Sequence, residues 1–518
     1  MFSAKVHRYV YLVLLSLLGG TMVCSTWAAN LMWVLLGVNW LLEGWSKQDG
    51  STQRSDWRTK WDRALRSRVL RVYLAFFLLL LAGMLWSTNL QAGWSILRVS
   101  LPLAIVPLVI LTSAPVTGRA RDSVLGFYGC AVLVVSVIAA IRLFTIPFLP
   151  YREAVPYISH IRFALNCCLV ICFCVEQAWR RRTTNKTVSI VSLAAALWLL
   201  AFLVLIRSFT AIAVLTAISL VVTLVYRRRW WTIAIWVAAI AGITAAVAVE
   251  VYRYYDLPTD ADGPLPTHTA NGRPYVHARD GMVENGNYVN NYVCLEELRS
   301  QWEQRSALPY DGPTATGFGV QPTLIRYLNG LGLTKDSAGV ATLTDQQVEA
   351  IERGVANPVY EEHNQLRKMV YVLLIEREYH RHFQAVAGFT IAQRLELWQA
   401  TMQVIADHPL FGAGTGDAID EMHTRLAADG SELTGTTKCS HNQYLTTTSM
   451  IGMAGLAVIV ILAALALAAL LRQRRRIPPL MLAWGITILI SFITEDTLDT
   501  LAGILLSTWF LAFRRDKD

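Results

Sequence analysis

Apolar runs recur along this chain from residue 8 to 250 and again from 445 to 513, separated by short basic connections. A single long polar stretch divides the two blocks. Uninterrupted apolar runs of about 18 residues or more read as membrane-spanning helices. In lipid only helices and closed barrels satisfy the backbone, and barrel strands would alternate apolar with polar positions. These runs do not alternate, so the pattern predicts an all-α polytopic membrane protein with about 12 transmembrane helices. The spans fall near 8–26, 28–45, 69–87, 94–112, 123–146, 158–178, 187–206, 209–226, 230–250, 445–471, 478–494 and 500–513.

The polar stretch, 250–443, predicts one large and mainly helical loop. Asp256–Gly281, rich in Pro, Gly, Asp and Thr, reads as irregular. Helical patterns follow over Asn291–Arg305, Thr344–Gly354, Asn357–Phe383 and Ile391–Ala406, and then a Gly-rich turn, His408–Gly416. Loops longer than about 15 residues are functional or disordered, and helical patterning favours function. The expected organisation is therefore residues 1–250 for helices one to nine, 251–443 for the loop domain, and 444–518 for helices ten to twelve with a tail.

Composition agrees: 54% of the 518 residues are hydrophobic and 16% charged, too few charges for a soluble chain of this length. A net charge of +9 raises the question of nucleic acid. Most Lys and Arg, however, sit in short clusters between apolar runs, where they set topology. Seven lie between Lys47 and Arg68, and others are Arg119/Arg121, Arg180–Arg182, Arg227–Arg229, Arg472–Arg476 and the tail. With twelve spans every cluster falls on the side of the N-terminus. The positive-inside rule then predicts cytoplasmic termini and a loop on the outer side. Lys5, His7 and Arg8 before an apolar run, with Ala28 and Ala29 beyond it, mimic a signal peptide. A second apolar run follows at once, which predicts a retained first helix. Six of the eight cysteines lie in apolar runs; Cys294 and Cys439 lie in the loop, where a disulfide between them is an open reading.

Ionisable groups at the membrane boundary are the first candidates for chemistry. Arg98, Arg142, Arg152, Arg162 and Arg207 all fall at the loop side of their spans, where arginine is depleted. Glu495, Asp496 and Asp499 occupy the short link between the last two spans. For Arg98, Arg142 and Arg152 two readings are open: a functional role, or pairing with those carboxylates or snorkelling to lipid phosphates. Arg162 and Arg207 favour function. A guanidinium offers a permanent charge and a fixed fork of donors suited to phosphate or pyrophosphate. That set points to a lipid-linked phosphate ligand, with Arg152 counted among its candidate contacts.

The last third of the loop holds a second group: Arg394-Leu-Glu-Leu-Trp398, His408-Pro-Leu-Phe-Gly-Ala-Gly-Thr-Gly416 and Ser440-His-Asn-Gln-Tyr-Leu445. His441 precedes the tenth span directly, and imidazole suits proton abstraction at neutral pH. A lone histidine is more often structural. No His-Glu-x-x-His pair occurs, and Asp260-Ala-Asp262 sits among Pro and Gly as in a surface turn. The glycine run 412–416 lacks the flanking strand, helix and acid of a dinucleotide site.

Arg394…Trp398, His408-Pro-Leu-Phe-Gly-Ala-Gly and His441-Asn-Gln-Tyr-Leu ahead of a membrane helix resemble the O-antigen ligase family. Its relatives include the O-antigen polymerases and protein O-oligosaccharyltransferases. The resemblance implies transfer of O-antigen from undecaprenyl pyrophosphate to a lipid A-core sugar, at the periplasmic face of a Gram-negative inner membrane. It implies an inverting, metal-independent and cofactor-free reaction. His441 would be the general base, Arg394 would bind donor phosphate or hold the site, and Arg207 would match the family's membrane-boundary arginine. Arg162, in His160-Ile-Arg162, fits a further arginine of that kind. A polymerase, a protein O-glycosylating enzyme and, more remotely, a lipid-linked glycan transporter remain the alternatives.

Overall fold

The computed structural model describes residues 3–45, 56–146, 149–226, 230–257, 263–279, 281–383, 390–436, 439–473 and 477–514. Asp260 and Asp262 lie outside the described residues, as do Arg227–Arg229. The first helices are α1 (Ala4–Cys24), α2 (Thr26–Glu43), α3 (Trp57–Arg66), α4 (Arg68–Ala82), α5 (Leu90–Thr112) and α6 (Gly118–Thr145). Next come α7 (His160–Arg181), α8 (Lys186–Leu205), α9 (Phe209–Tyr226) and α10 (Trp230–Tyr255). The polar stretch supplies strands β1 (Val283–Glu284) and β2 (Asn287–Tyr288) with α11 (Leu295–Arg305), α12 (Val320–Gly330) and α13 (Ser337–Ala341). It continues with α14 (Asp345–Glu352), α15 (Gln365–Phe383), α16 (Thr390–Asp407) and α17 (Ala418–Ala428). The chain closes on α18 (Gln443–Gln473), α19 (Pro479–Thr494) and α20 (Leu501–Thr508). Among the described residues nine helices are long and apolar enough to cross a membrane, and Pro479–Thr494 and Leu501–Phe513 are shorter apolar helices.

The chain divides into two compact units, one of Met1–Ile233 with Glu396–Asp518 and one of Ala234–Leu395. The last part of the polar stretch, from Glu396, falls in the first of these units.

In the first unit, side chains close the helix starts. Ser25, Ser67, Asn89, Asn185 and Thr500 each accept the backbone N–H three residues on, meeting donors that have no intrahelical partner. At the far end of α5 the free carbonyls are met by arginine. Arg8 donates to the carbonyls of Ala114 (2.6 Å) and Pro115 (2.8 Å), Arg63 to Thr112 (2.9 Å), and Arg514 to Ile110 (3.0 Å) and Leu111 (2.8 Å). The start of α1 and the end of the chain therefore meet at one end of this unit. Lys60, 1% exposed, joins them there, paired with Glu43 (2.9 Å) and bonded to the Trp40 carbonyl (2.5 Å).

The second unit packs around Trp302, Tyr310, Tyr327 and Leu328. The strands form a hairpin whose two turn residues, Asn285 and Gly286, take φ of 53° and 74°. An Asn-Gly pair is the sequence such a turn favours. It holds the fully buried Glu284 against Arg326 (3.0 Å) and Asn357 (2.7 Å).

Three expectations are corrected. The tenth apolar run is not one rod: α18 is two helices meeting at Ile451 and Gly452, whose φ/ψ are non-helical. The basic connection before α4 contains a helix of its own, α3, and the polar stretch holds α12, α13 and α17 besides the helices expected. Cys294 and Cys439 are both free thiols; Cys294 is buried in its own unit, its N–H bonded to the Lys335 carbonyl (2.8 Å).

Candidate functional site

His441 stands in a turn immediately before α18, with φ of 52°. The left-handed region costs a non-glycine residue about 1–2 kcal/mol, so the turn must be held by its surroundings. Asp496 holds it. Its Oδ2 accepts the His441 N–H (2.8 Å), and its Oδ1 accepts the Asn442 N–H (3.1 Å) and the Thr446 hydroxyl (2.7 Å). Ser440, whose Oγ lies 2.6 Å from that of Thr446, completes the turn. From the other side, Trp398 on α16 donates its indole N–H to the Ser440 carbonyl (2.8 Å). The imidazole itself stays 37% exposed, with Nδ1 4.0 Å from Asp496. That is too long for a hydrogen bond. The carboxylate fixes the backbone and leaves the ring nitrogens available.

Gln443 locks the adjoining link. Its carbonyl accepts the Leu498 N–H (2.6 Å), and its amide donates to Asp499 (3.3 Å). Burial and repulsion from Asp496 push the Asp499 carboxyl up to about 7, against the pull of Gln443 and Arg162. Burial, and then Asp499 and Asp496, hold the Cys439 thiol up at about 12, so it is no nucleophile at neutral pH.

The arginines come next. Arg162, in the first turn of α7, pairs with Glu495 (3.3 Å), the neighbour of Asp496, and its buried Nε has no hydrogen-bond partner. Arg207 ends α8. Its N–H returns to Val204 (3.0 Å) and that of Ser208 to Leu203 (3.1 Å), the paired bonds of a Schellman cap. Glycine ordinarily takes the left-handed position of that cap, yet here it is Arg207, with φ of 50°. Its guanidinium is exposed, 6.0 Å from the Tyr151 ring. Arg152 bonds and stacks on the same tyrosine (3.3 and 5.7 Å), and His160 meets that ring edge-on. A chain of neighbours therefore runs from Arg207 and Arg152 through Tyr151 to His160 and Arg162, then through Glu495 and Asp496 to His441. Arg394 is not part of this unit; it lies in the other, one turn before Trp398 on α16. Of the remaining boundary arginines, Arg142 reaches the Glu153 carbonyl (3.4 Å), and Arg98 is exposed.

The glycine run 412–416 is a clasp. Ala413 and Gly414 donate to the carbonyls of Ser449 (2.8 Å) and Met450 (3.1 Å), where α18 breaks. Met453 donates back to Pro409 (2.9 Å). Gly412 and Gly452, at φ of 73° and 64°, cross so closely that a Cβ on either would enter the other segment's backbone. Thr415 bonds the Leu80 carbonyl (2.7 Å), Gly416 bonds Ser87 (3.0 Å), and Asp417 accepts the N–H groups of Thr88 and Asn89. The backbone donors of the run are all taken: Gly412 by the His408 carbonyl, Ala413 and Gly414 by α18, and Thr415 and Gly416 by the α4–α5 link. Among the described residues no three His, Cys, Asp or Glu side chains converge as ion ligands.

Residues 337–460 match the Wzy_C family model, described as O-antigen ligase. They belong to the O-antigen ligase family. The matched segment of this O-antigen ligase domain contains Arg394, Trp398, the clasp and His441. No curated protein matches the chain. Arg162, Arg207 and Asp496 lie outside the matched residues and are joined to His441 by the fold.

Sequence reasoning missed Tyr151 and named Asp496 only as a partner for arginine. The 495–499 carboxylates read as partners for arginine, which holds for Glu495. Asp496 bonds backbone instead, and only a polar pair in a link between two apolar helices hinted at it.

Proposed function

We propose that this protein is an O-antigen ligase of a Gram-negative inner membrane. It would move O-antigen from undecaprenyl pyrophosphate to a sugar of lipid A-core. The observation that carries this reading is His441 held in a strained turn by Asp496, with its ring free, beside the Arg162–Glu495 pair. His441 takes the proton of the acceptor hydroxyl as that oxygen bonds the donor's anomeric carbon from the face opposite the pyrophosphate. The carbon–oxygen bond to pyrophosphate breaks, and the electron pair leaves with it. Arg162 and Arg207 offset the charge that grows on the leaving group, with Arg152 as a further phosphate contact. The Asp496 carboxylate faces the positive charge that the ring gains. Pyrophosphate is a good leaving group, so this chemistry asks the chain for a base and cations. The chain ends that meet at the arginine-rich end of the unit support cytoplasmic termini, with His441 at the periplasmic end.

The test is reconstitution in vesicles with undecaprenyl-pyrophosphate-linked glycan and lipid A-core. The expected product is glycan on the core sugar, with or without chelator. Loss of transfer on chelation would bring Asp260 and Asp262 back as metal ligands. The family also favours a second reading, a polymerase acting on the same donor. A deletion strain separates the two: full-length polymer left on undecaprenyl pyrophosphate supports the ligase, and accumulation of single repeats rejects it.

A further inference from the structure

α3 presents two faces of different chemistry. Its inner face is fixed to the bundle: Trp57 packs edge-on against Trp40 (5.2 Å) and Trp45 (5.3 Å), Lys60 is buried on Glu43, and Arg63 caps α5. Asp56 closes the first turn by accepting from the Thr59 N–H (3.2 Å). The outer face carries Trp61, 67% exposed, and Leu65, 58% exposed. Arg58 and Arg66 flank them, and Arg68 and Arg71 follow in the first turn of α4, all exposed. Against these four guanidinium groups the outer face sets one carboxylate, Asp62. None of the four has an ion pair among the described residues.

We propose that this face binds the headgroups of anionic phospholipids in the leaflet at this end of the bundle. Three features favour lipid over an acidic protein. The apolar run of α4 begins within this group of arginines, and its Leu78 and Leu81 are exposed, so the patch continues into a lipid-facing surface. Tryptophan and leucine on one side of a basic helix suit the level where headgroups meet acyl chains. The guanidinium forks match phosphodiester oxygens, and a net positive face distinguishes an anionic headgroup from a zwitterionic one. Because the inner face is already locked, binding has no helix to order.

The test uses the full chain in vesicles of equal parts phosphatidylglycerol and phosphatidylcholine, one or the other carrying a photoreactive headgroup. Labelled peptides are then mapped by mass spectrometry. Labelling of residues 57–71 should favour phosphatidylglycerol by about fivefold. The preference should fall to parity in an R58Q/R66Q/R68Q/R71Q variant that elutes as wild type. Raising salt to about 0.5 M should erase it in the wild-type chain, which decides the matter if the variant does not fold. Parity in wild type at low salt, or a preference that survives neutralisation, overturns the proposal. Parity there together with capture of a polyglutamate peptide would assign the face to an acidic protein.

Discussion

Where α5 stops, Arg8, Arg63 and Arg514 donate into carbonyls 110–115, Arg121 forks onto Glu176 (2.9 and 3.0 Å), and Lys60 sits on Glu43. Where α7 begins, the buried Nε of Arg162 has no hydrogen-bond partner among the described residues, and Arg207 lies 6.0 Å from a tyrosine ring, in a backbone position that suits glycine. The two ends belong to one unit and use the same side chain. The arginines named at the first end spend donors on carbonyls or a carboxylate, whereas Arg162 keeps one unmet. A buried cation whose donors are all met is a fastening. Arg162, with an unmet donor, and Arg207, with a strained backbone, are the two that we propose for a ligand.

The comparison can be broken at either end. The largest expected effect is at His441→Ala, which should lower transfer by about 10²–10⁴-fold at unchanged membrane abundance; near-normal turnover would end the base assignment. At the opposite end, Lys60→Ala should leave Glu43 buried and alone, costing about 3–5 kcal/mol of stability. Turnover per folded molecule should not change, and a K60M/E43L double variant should recover most of the loss, as read by thermal unfolding in detergent. Arg162→Gln or Arg207→Gln should reduce transfer by about 10–100-fold, and lysine at either position should restore only part. Full rescue by lysine would mean that charge alone matters there.

A smaller effect comes from Asp499. Its folded value, about 7, is raised from an ordinary value of 3.8, so the folded chain holds the proton more tightly than the unfolded one. The stabilisation is complete below 3.8 and is lost as pH rises through about 7. The unfolding midpoint should therefore drop between pH 4 and 7, and Asp499→Asn should flatten that slope; an unchanged slope removes Asp499 as its source. Smallest of all, Arg180→Ala, at an exposed pair with Asp122, should shift stability by less than about 1 kcal/mol.

Much of the apolar scaffold was legible because lipid forces one solution on a long apolar run. The run expected at 478–494 is Pro479–Thr494. The break in α18 was not legible: Ile451 and Gly452 leave the helix to meet Leu410–Gly414, some forty residues away. α3 was hidden in a basic link because ten residues are too few for a periodic signal to stand out. At the candidate site, the boundary arginines were readable as candidates from residue type, and His441 from the resemblance of its motif. Asp496 was not, because it bonds the backbone of a turn, and backbone donors leave no mark in the sequence.

The clasp also bears on synthesis. The α4–α5 link is made early, yet Ser87 and the N–H groups of Thr88 and Asn89 wait for Gly416 and Asp417, which lie 328 or 329 residues further along. At ordinary elongation rates that gap lasts roughly 15–65 s. For that time the link must be covered by water or lipid headgroups. The first nine helices are thus made long before the segment that fastens α4 and α5 to the end of the bundle carrying His441.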